Sequence, residues 1–61
     1  MSNLRKFRRI AKDILDQFGA DYRLDPNTAV EVLKVRLGNE RVIVQRYVRG
    51  LLRTRYPGVI V

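Results

Sequence analysis

The sequence predicts an all-α domain of three helices, on three observations. The chain has 61 residues, which is room for one domain and no more. Apolar residues recur at helical spacing through the first and last thirds of the chain. Between these stretches stand residues that start or stop helices: Gly19, Asp25-Pro26, Gly38-Asn39 and Pro57-Gly58.

The first helix rests on Leu4, Phe7, Ile10, Ala11, Ile14, Leu15 and Phe18, which form one apolar stripe. Ser2 or Asn3 is expected to cap its start, and Gly19 to end it in a left-handed conformation. Arg5, Lys6, Arg8, Arg9 and Lys12 lie early on its outer face, followed by Asp13 and Asp16. Cations at a helix start oppose the macrodipole, and that cost is tolerated if they serve a partner. Residues 20–27 are expected to form a connection, with Tyr22 exposed in it.

Asp25-Pro26 suits the start of a second helix, because aspartate caps and proline presets φ for the first turn. Thr28 to Glu31 also matches a capping box. This helix is expected over about Thr28 to Leu37, with Val30, Leu33 and Leu37 inward and Gly38 at its end. The third helix is expected over Glu40 to Tyr56, with Asn39 as its cap. Ile43, Val44, Tyr47, Val48, Leu51, Leu52 and Tyr56 form its inner stripe, and Arg41, Gln45, Arg46, Arg49 and Arg53 its outer face. Gly50 lowers helix propensity in its middle, and Pro57-Gly58 stops it. The apolar tail Val59-Ile60-Val61 is expected to fold back on the core or meet another chain.

An α+β alternative competes. Residues 33–46 hold two partly alternating runs around Gly38-Asn39, which reads as a hairpin with a two-residue turn. Helices are preferred because the stripe from Ile43 to Tyr56 holds for four turns, where a strand pattern fails.

Composition narrows the function. A domain this small buries about 60% of its unfolded surface, so cofactor pockets and substrate clefts are hard to build. The chain has no cysteine and no histidine. That removes thiol chemistry, the commonest metal ligands and the commonest general base. The glycines are scattered, with no phosphate-cradling loop, and Asp13 and Asp16 read as a solvated charged face. The expectation is a protein that is not an enzyme and needs no cofactor or metal. No apolar run approaches a membrane span, and no signal peptide is expected. The expected location is the cytoplasm, at the nucleoid, or a host cytoplasm if the protein is viral.

Charge carries the functional expectation. The net charge is +7, and ten of the 13 basic residues are arginine. Lysine would serve solubility equally well, whereas the planar fork of arginine suits phosphate oxygens and guanine edges. Counterion release makes such a surface a general nucleic-acid binder before any sequence is read. The aromatic residues Phe7, Phe18, Tyr47 and Tyr56 fall on core stripes, which disfavours base stacking on single strands.

Residues 28–56, taken as helix, tight turn and helix, resemble the helix-turn-helix of DNA-binding proteins. Gly38 falls at the turn glycine, Leu33 and Leu37 at buried positions of the first helix, and Val44 and Tyr47 at buried positions of the second. Lys34 stands where that family usually has a small residue. The resemblance implies that Glu40, Arg41, Val42, Gln45 and Arg46 meet the major groove. Arg41 or Arg46 would bond guanine, Gln45 adenine, and Val42 a thymine methyl. Arg49, Arg53 and Arg55 would hold phosphates. Arg5, Lys6, Arg8 and Arg9 would add phosphate contacts or reach into a minor groove.

The expected function is therefore binding of duplex DNA, as a homodimer matched to palindromic sites. A regulator or an accessory protein of a phage, plasmid or other mobile element fits this size. The rival expectations are a module that binds an acidic protein partner, as an inhibitor or recruiter, and an RNA-binding protein.

Overall fold

A computed structural model describes residues 2–61, and side chains from Leu4 onward. It is a compact all-α domain of three helices, with no strand among the described residues: α1 (Ser2–Leu24), α2 (Pro26–Gly38) and α3 (Val42–Arg55). Residues 33–46, where a hairpin was the alternative, are helical except for Asn39 to Arg41. The four-turn stripe outweighs the short alternating runs.

Helix α1 is longer than the sequence suggests. It does not stop at Gly19, which lies inside the helix, and no described glycine has a positive φ. Residues 20–24 are helical rather than a connection, because continuing the helix docks Tyr22. The rings of Phe18, Tyr22 and Tyr56 form a cluster with centroids 5.1–5.5 Å apart. Tyr22 is thus half-buried, not exposed in a loop. Glycine at position 19 also gives Tyr56 room, since a Cβ there would stand 3.2 Å from the Tyr56 hydroxyl. Mid-helix glycine costs about 1 kcal/mol, and a packed ring cluster offsets that. Ser2 and Asn3 are helical, and their expected capping side chains lie outside the described residues.

Asp25 alone joins α1 to α2, and its role as N-cap is as expected. Its carboxylate accepts from the backbone N–H of Asn27 at 3.2 Å and of Thr28 at 3.3 Å, and from the Thr28 hydroxyl at 2.7 Å. Pro26 occupies the first turn, so α2 starts two residues before Thr28, and Thr28 serves the Asp25 cap rather than heading a box of its own. Helix α2 doubles back along α1: Ile14, Phe18 and Asp21 share a crevice with Ala29, Leu33 and Arg36. Ala29, Leu33 and Leu37 are buried, and Val30 is half-buried. The inward face is therefore turned slightly from the expected one, because small Ala29 lets the two backbones approach.

Gly38 is the last residue of α2, and Asn39 caps that helix rather than α3, donating its N–H to Arg36 at 3.2 Å. Arg41 stands at the N-cap of α3 without a side-chain cap bond. Instead the Gln45 amide donates to the Glu40 carbonyl at 2.9 Å, tying the first turn of α3 to the link.

Helix α3 lies along α1 and runs in the same direction. Near their starts, Leu4 and Phe7 line one apolar groove with Ile43 and Tyr47; near their ends, Tyr56 packs on Phe18 and Tyr22. α1 packs most extensively on α2 and next on α3, while α2 and α3 touch least. The core joins Ala11, Ile14, Leu15 and Phe18 of α1 to the three buried residues of α2 and to Val44, Val48 and Leu52 of α3. Val59 and Val61 of the tail fold back against it, and Ile60 points outward.

Candidate nucleic-acid interface

Three stretches of the chain differ sharply in charge. Residues 2–12 carry five cations and no acid, and residues 41–61 carry five arginines and no acid. The stretch between, residues 13–40, holds all six acids and three cations. The fold brings the two cationic stretches together, because Leu4 and Phe7 meet Ile43 and Tyr47 where α1 and α3 begin.

Within α3 the arginines fall into a row. Val42, Arg46, Arg49 and Arg53 stand at i, i+4, i+7 and i+11, which keeps them on one face of a helix. All four are exposed, on the side away from buried Val44, Val48 and Leu52. From Arg46 to Arg53 the helix rises about 10 Å. Arg41, at the head of α3, and Arg55, at its end, are also exposed. On α1, Arg5, Arg8, Arg9 and Lys12 stand at i, i+3, i+4 and i+7, all exposed, and Lys6 is exposed beside them. None of these side chains has an ion-pair partner among the described residues, where one pair forms, Lys34 to Glu31 at 3.8 Å.

Two of the expected groove residues have occupations within the fold. Gln45 is half-buried, and one of its two Nε2 hydrogens is held by the Glu40 carbonyl, so the second and Oε1 are left for a partner. Glu40 is half-buried in the link. Val42 is 64% exposed at the head of the arginine row.

Helices α2 and α3 follow one another with a three-residue link, Asn39 to Arg41, as the helix-turn-helix resemblance implies. Leu33, Leu37 and Val44 are buried as expected. Lys34 is exposed, and α2 and α3 touch least of the three helix pairs, so they do not pack closely as that family's pair does. Tyr47 is not buried as expected: it is 38% exposed, Ile43 is 53% exposed and Leu4 is 55% exposed. The reason is that α3 rests lengthwise on α1, so its buried row is Val44, Val48 and Leu52, and the neighbouring row of Ile43 and Tyr47 faces outward. An exposed apolar strip therefore lies between the two cationic stretches, which sequence periodicity alone had assigned to the core.

A groove of about 290 Å³ lies between α3 and the returning tail, with Arg49 and Arg53 on one side and Pro57, Val59, Ile60 and Val61 on the other.

No helix among the described residues is long and apolar enough to cross a membrane. No protein-family model, curated protein or solved structure matches the chain.

Proposed function

We propose that this protein binds duplex DNA through the outer face of α3, with the start of α1 as a second contact. The observation that carries the reading is the juxtaposition of two acid-free cationic stretches, with their arginines exposed and unpaired among the described residues. Ten cations in these two stretches repel one another across a small domain. A polyanion relieves that repulsion and releases its own counterions on contact.

A single helix is the element that fits the major groove, and α3 offers 14 residues with one continuous basic row. Arg46 and Arg41, near its start, are placed to reach base edges, and Val42 offers a methyl surface to thymine. Arg49 and Arg53 hold phosphates further along. Arg5, Arg8 and Arg9 reach the adjoining backbone. Phe18, Tyr22 and Tyr56 pack on one another and are not offered as a stacking platform, which favours a duplex over a single strand, although Tyr47 is an exposed ring beside the cations. This reading rests on the arginine row and does not require the α2–α3 pair to pack as a helix-turn-helix. A regulator or accessory factor of a mobile element is the role that fits a binder of this size.

One observation favours a second reading. The exposed strip of Leu4, Ile43 and Tyr47 between the cationic stretches suits an acidic protein partner that brings its own apolar side chains. The two readings separate by experiment. Titrating the protein into labelled random duplex DNA at rising salt gives steeply salt-dependent binding on the first. On the second, DNA binding is absent at low salt while the protein remains helical.

A further inference from the structure

Helix α2 has the fewest charged residues of the three helices, and its outer surface has a row of its own. Thr28, Val32, Val35 and Asn39 stand at i, i+4, i+7 and i+11 and are all exposed. Val35 is 69% exposed and Val32 45%. A shallow open depression of about 460 Å³ is lined by Val32, Val35 and Asn39 together with Glu31 and Arg36. Asn39 lies just past the helix, but its backbone keeps right-handed helical angles, so the row continues through it.

We propose that this face is where two copies of the chain associate, with their α2 helices side by side and parallel. The row has the spacing of the inner positions of a two-stranded coiled coil, with Val32 and Asn39 at one of the two alternating positions and Thr28 and Val35 at the other. A β-branched residue at the first position favours two strands, and a single asparagine there fixes register. Glu31 and Arg36 lie on opposite flanks of the row. A two-fold axis along parallel helices brings opposite flanks together, so Glu31 of each copy meets Arg36 of the other, five residues on. An axis across antiparallel helices brings like flanks together, glutamate toward glutamate and arginine toward arginine. Charge therefore selects the parallel arrangement.

Within its own chain Glu31 has one long, exposed contact, 3.8 Å from Lys34, and its other oxygen remains for a second cation. The rival apolar strip at Leu4, Ile43 and Tyr47 suits a second copy poorly. It lies between the two cationic stretches, and pairing it with itself would set arginines against arginines. Helix α2 is short, at 13 residues, and valine replaces the usual leucine at position 35. The contact is therefore small and its dimer concentration-dependent. It leaves α3 and the start of α1 open, and it stands whether or not these bind DNA.

The test is run without nucleic acid, at near-physiological salt. Sedimentation equilibrium from micromolar to millimolar protein is expected to show the mass rising from 7.2 kDa toward twice that value. Val35→Asp, with its helical circular dichroism intact, is expected to lose that rise. Glu31→Arg alone is expected to weaken association, and Glu31→Arg with Arg36→Glu to restore it. The chain has no cysteine, so single cysteines report register. Asn39→Cys is expected to oxidise to a disulfide dimer under conditions where Thr54→Cys stays monomeric. A mass that stays at one chain to millimolar concentration overturns the proposal. So does a rise that Val35→Asp leaves unchanged. Failure of Asn39→Cys to outpace Thr54→Cys overturns the parallel register.

Discussion

Replacing Gly50 by alanine is expected to stabilise the protein, and the size of the effect follows from its place in α3. Gly50 lies in the interior of α3, which spans Val42–Arg55, and it is exposed. Its φ is not positive, so alanine adopts the same backbone without strain. A Cβ built there meets nothing within 4 Å, so no packing opposes it. The gain is then the helix-propensity difference between alanine and glycine, about 0.8–1.0 kcal/mol. Unfolding entropy near the midpoint is about 2.1 cal/mol/K per residue, which for a chain of this length converts the gain to a rise in Tm of about 6–8 °C. Thermal melting followed by circular dichroism at the helix band reads it directly. Gly38 supplies the contrast. It too meets nothing within 4 Å, but it is the last residue of α2, where propensity counts for little, so Gly38→Ala is expected to move Tm much less. A Gly50→Ala protein that melts at or below the parent temperature refutes the reasoning, because position 50 would then not be interior helix with free space outside it.

The remaining stability predictions concern the ring cluster and the cap. Phe18→Ala removes the largest fully buried ring and its contacts to Tyr22 and Tyr56. Its cost of about 3–5 kcal/mol rivals the whole stability of a domain this size, roughly 3–9 kcal/mol, so loss of cooperative melting is expected. At Asp25, the hydrogen bond from the Thr28 hydroxyl, aided by the N–H groups of Thr28 and Asn27, holds the carboxyl below its ordinary value of 3.8. A lowered folded pKa means that the cap's contribution is complete above the ordinary value and is lost as pH falls through the lowered one. Asp25→Ala is expected to lower Tm at neutral pH, while Asp25→Asn keeps a capping oxygen and flattens this part of the acid dependence. Melting curves from neutral to acid pH check both, and equal acid sensitivity in the asparagine variant would contradict the assignment.

The helices were legible in the sequence where one physical signal dominated. The stripe from Val44 to Leu52 and the cap-and-proline pair at Asp25-Pro26 each point to one structure, and the fold obeys them. The misreadings share a cause, which is that position along the chain does not report which neighbour a helix face meets. Gly19 looks like a helix end, and only the Tyr56 ring, 37 residues further on, makes it worthwhile for α1 to continue past it. Tyr47 and Ile43 look like core because they share spacing with Val44 and Val48. They are outside because α3 rests on α1 along a narrower line than its apolar content would cover. Helix α2 is apolar on several sides, so periodicity alone put Val30 inward with Leu33 and Leu37, where the structure buries Ala29. The arginine row was readable residue by residue, since spacing on one helix is enough to align it. The meeting of Ile43 and Tyr47 with Leu4 and Phe7, which sets the start of α3 beside the basic start of α1, was not readable, because it depends on the direction in which α3 returns.

The central claim is that the two cationic stretches act together on a polyanion. The most direct test is fluorescence anisotropy of labelled random duplex DNA across a range of salt, with the parent protein beside the Arg46→Ala/Arg49→Ala variant. On random DNA no base edge is selected and Arg46 is free to hold a phosphate, so Arg46, Arg49, Arg53, Arg5, Arg8 and Arg9, neutralising one phosphate each, give a slope of log affinity against log salt of about −5. Removing two of them is expected to make that slope shallower by about 2, with weaker binding at every salt concentration. No binding at low salt by the folded parent, or a variant with the same slope and affinity, would contradict the claim.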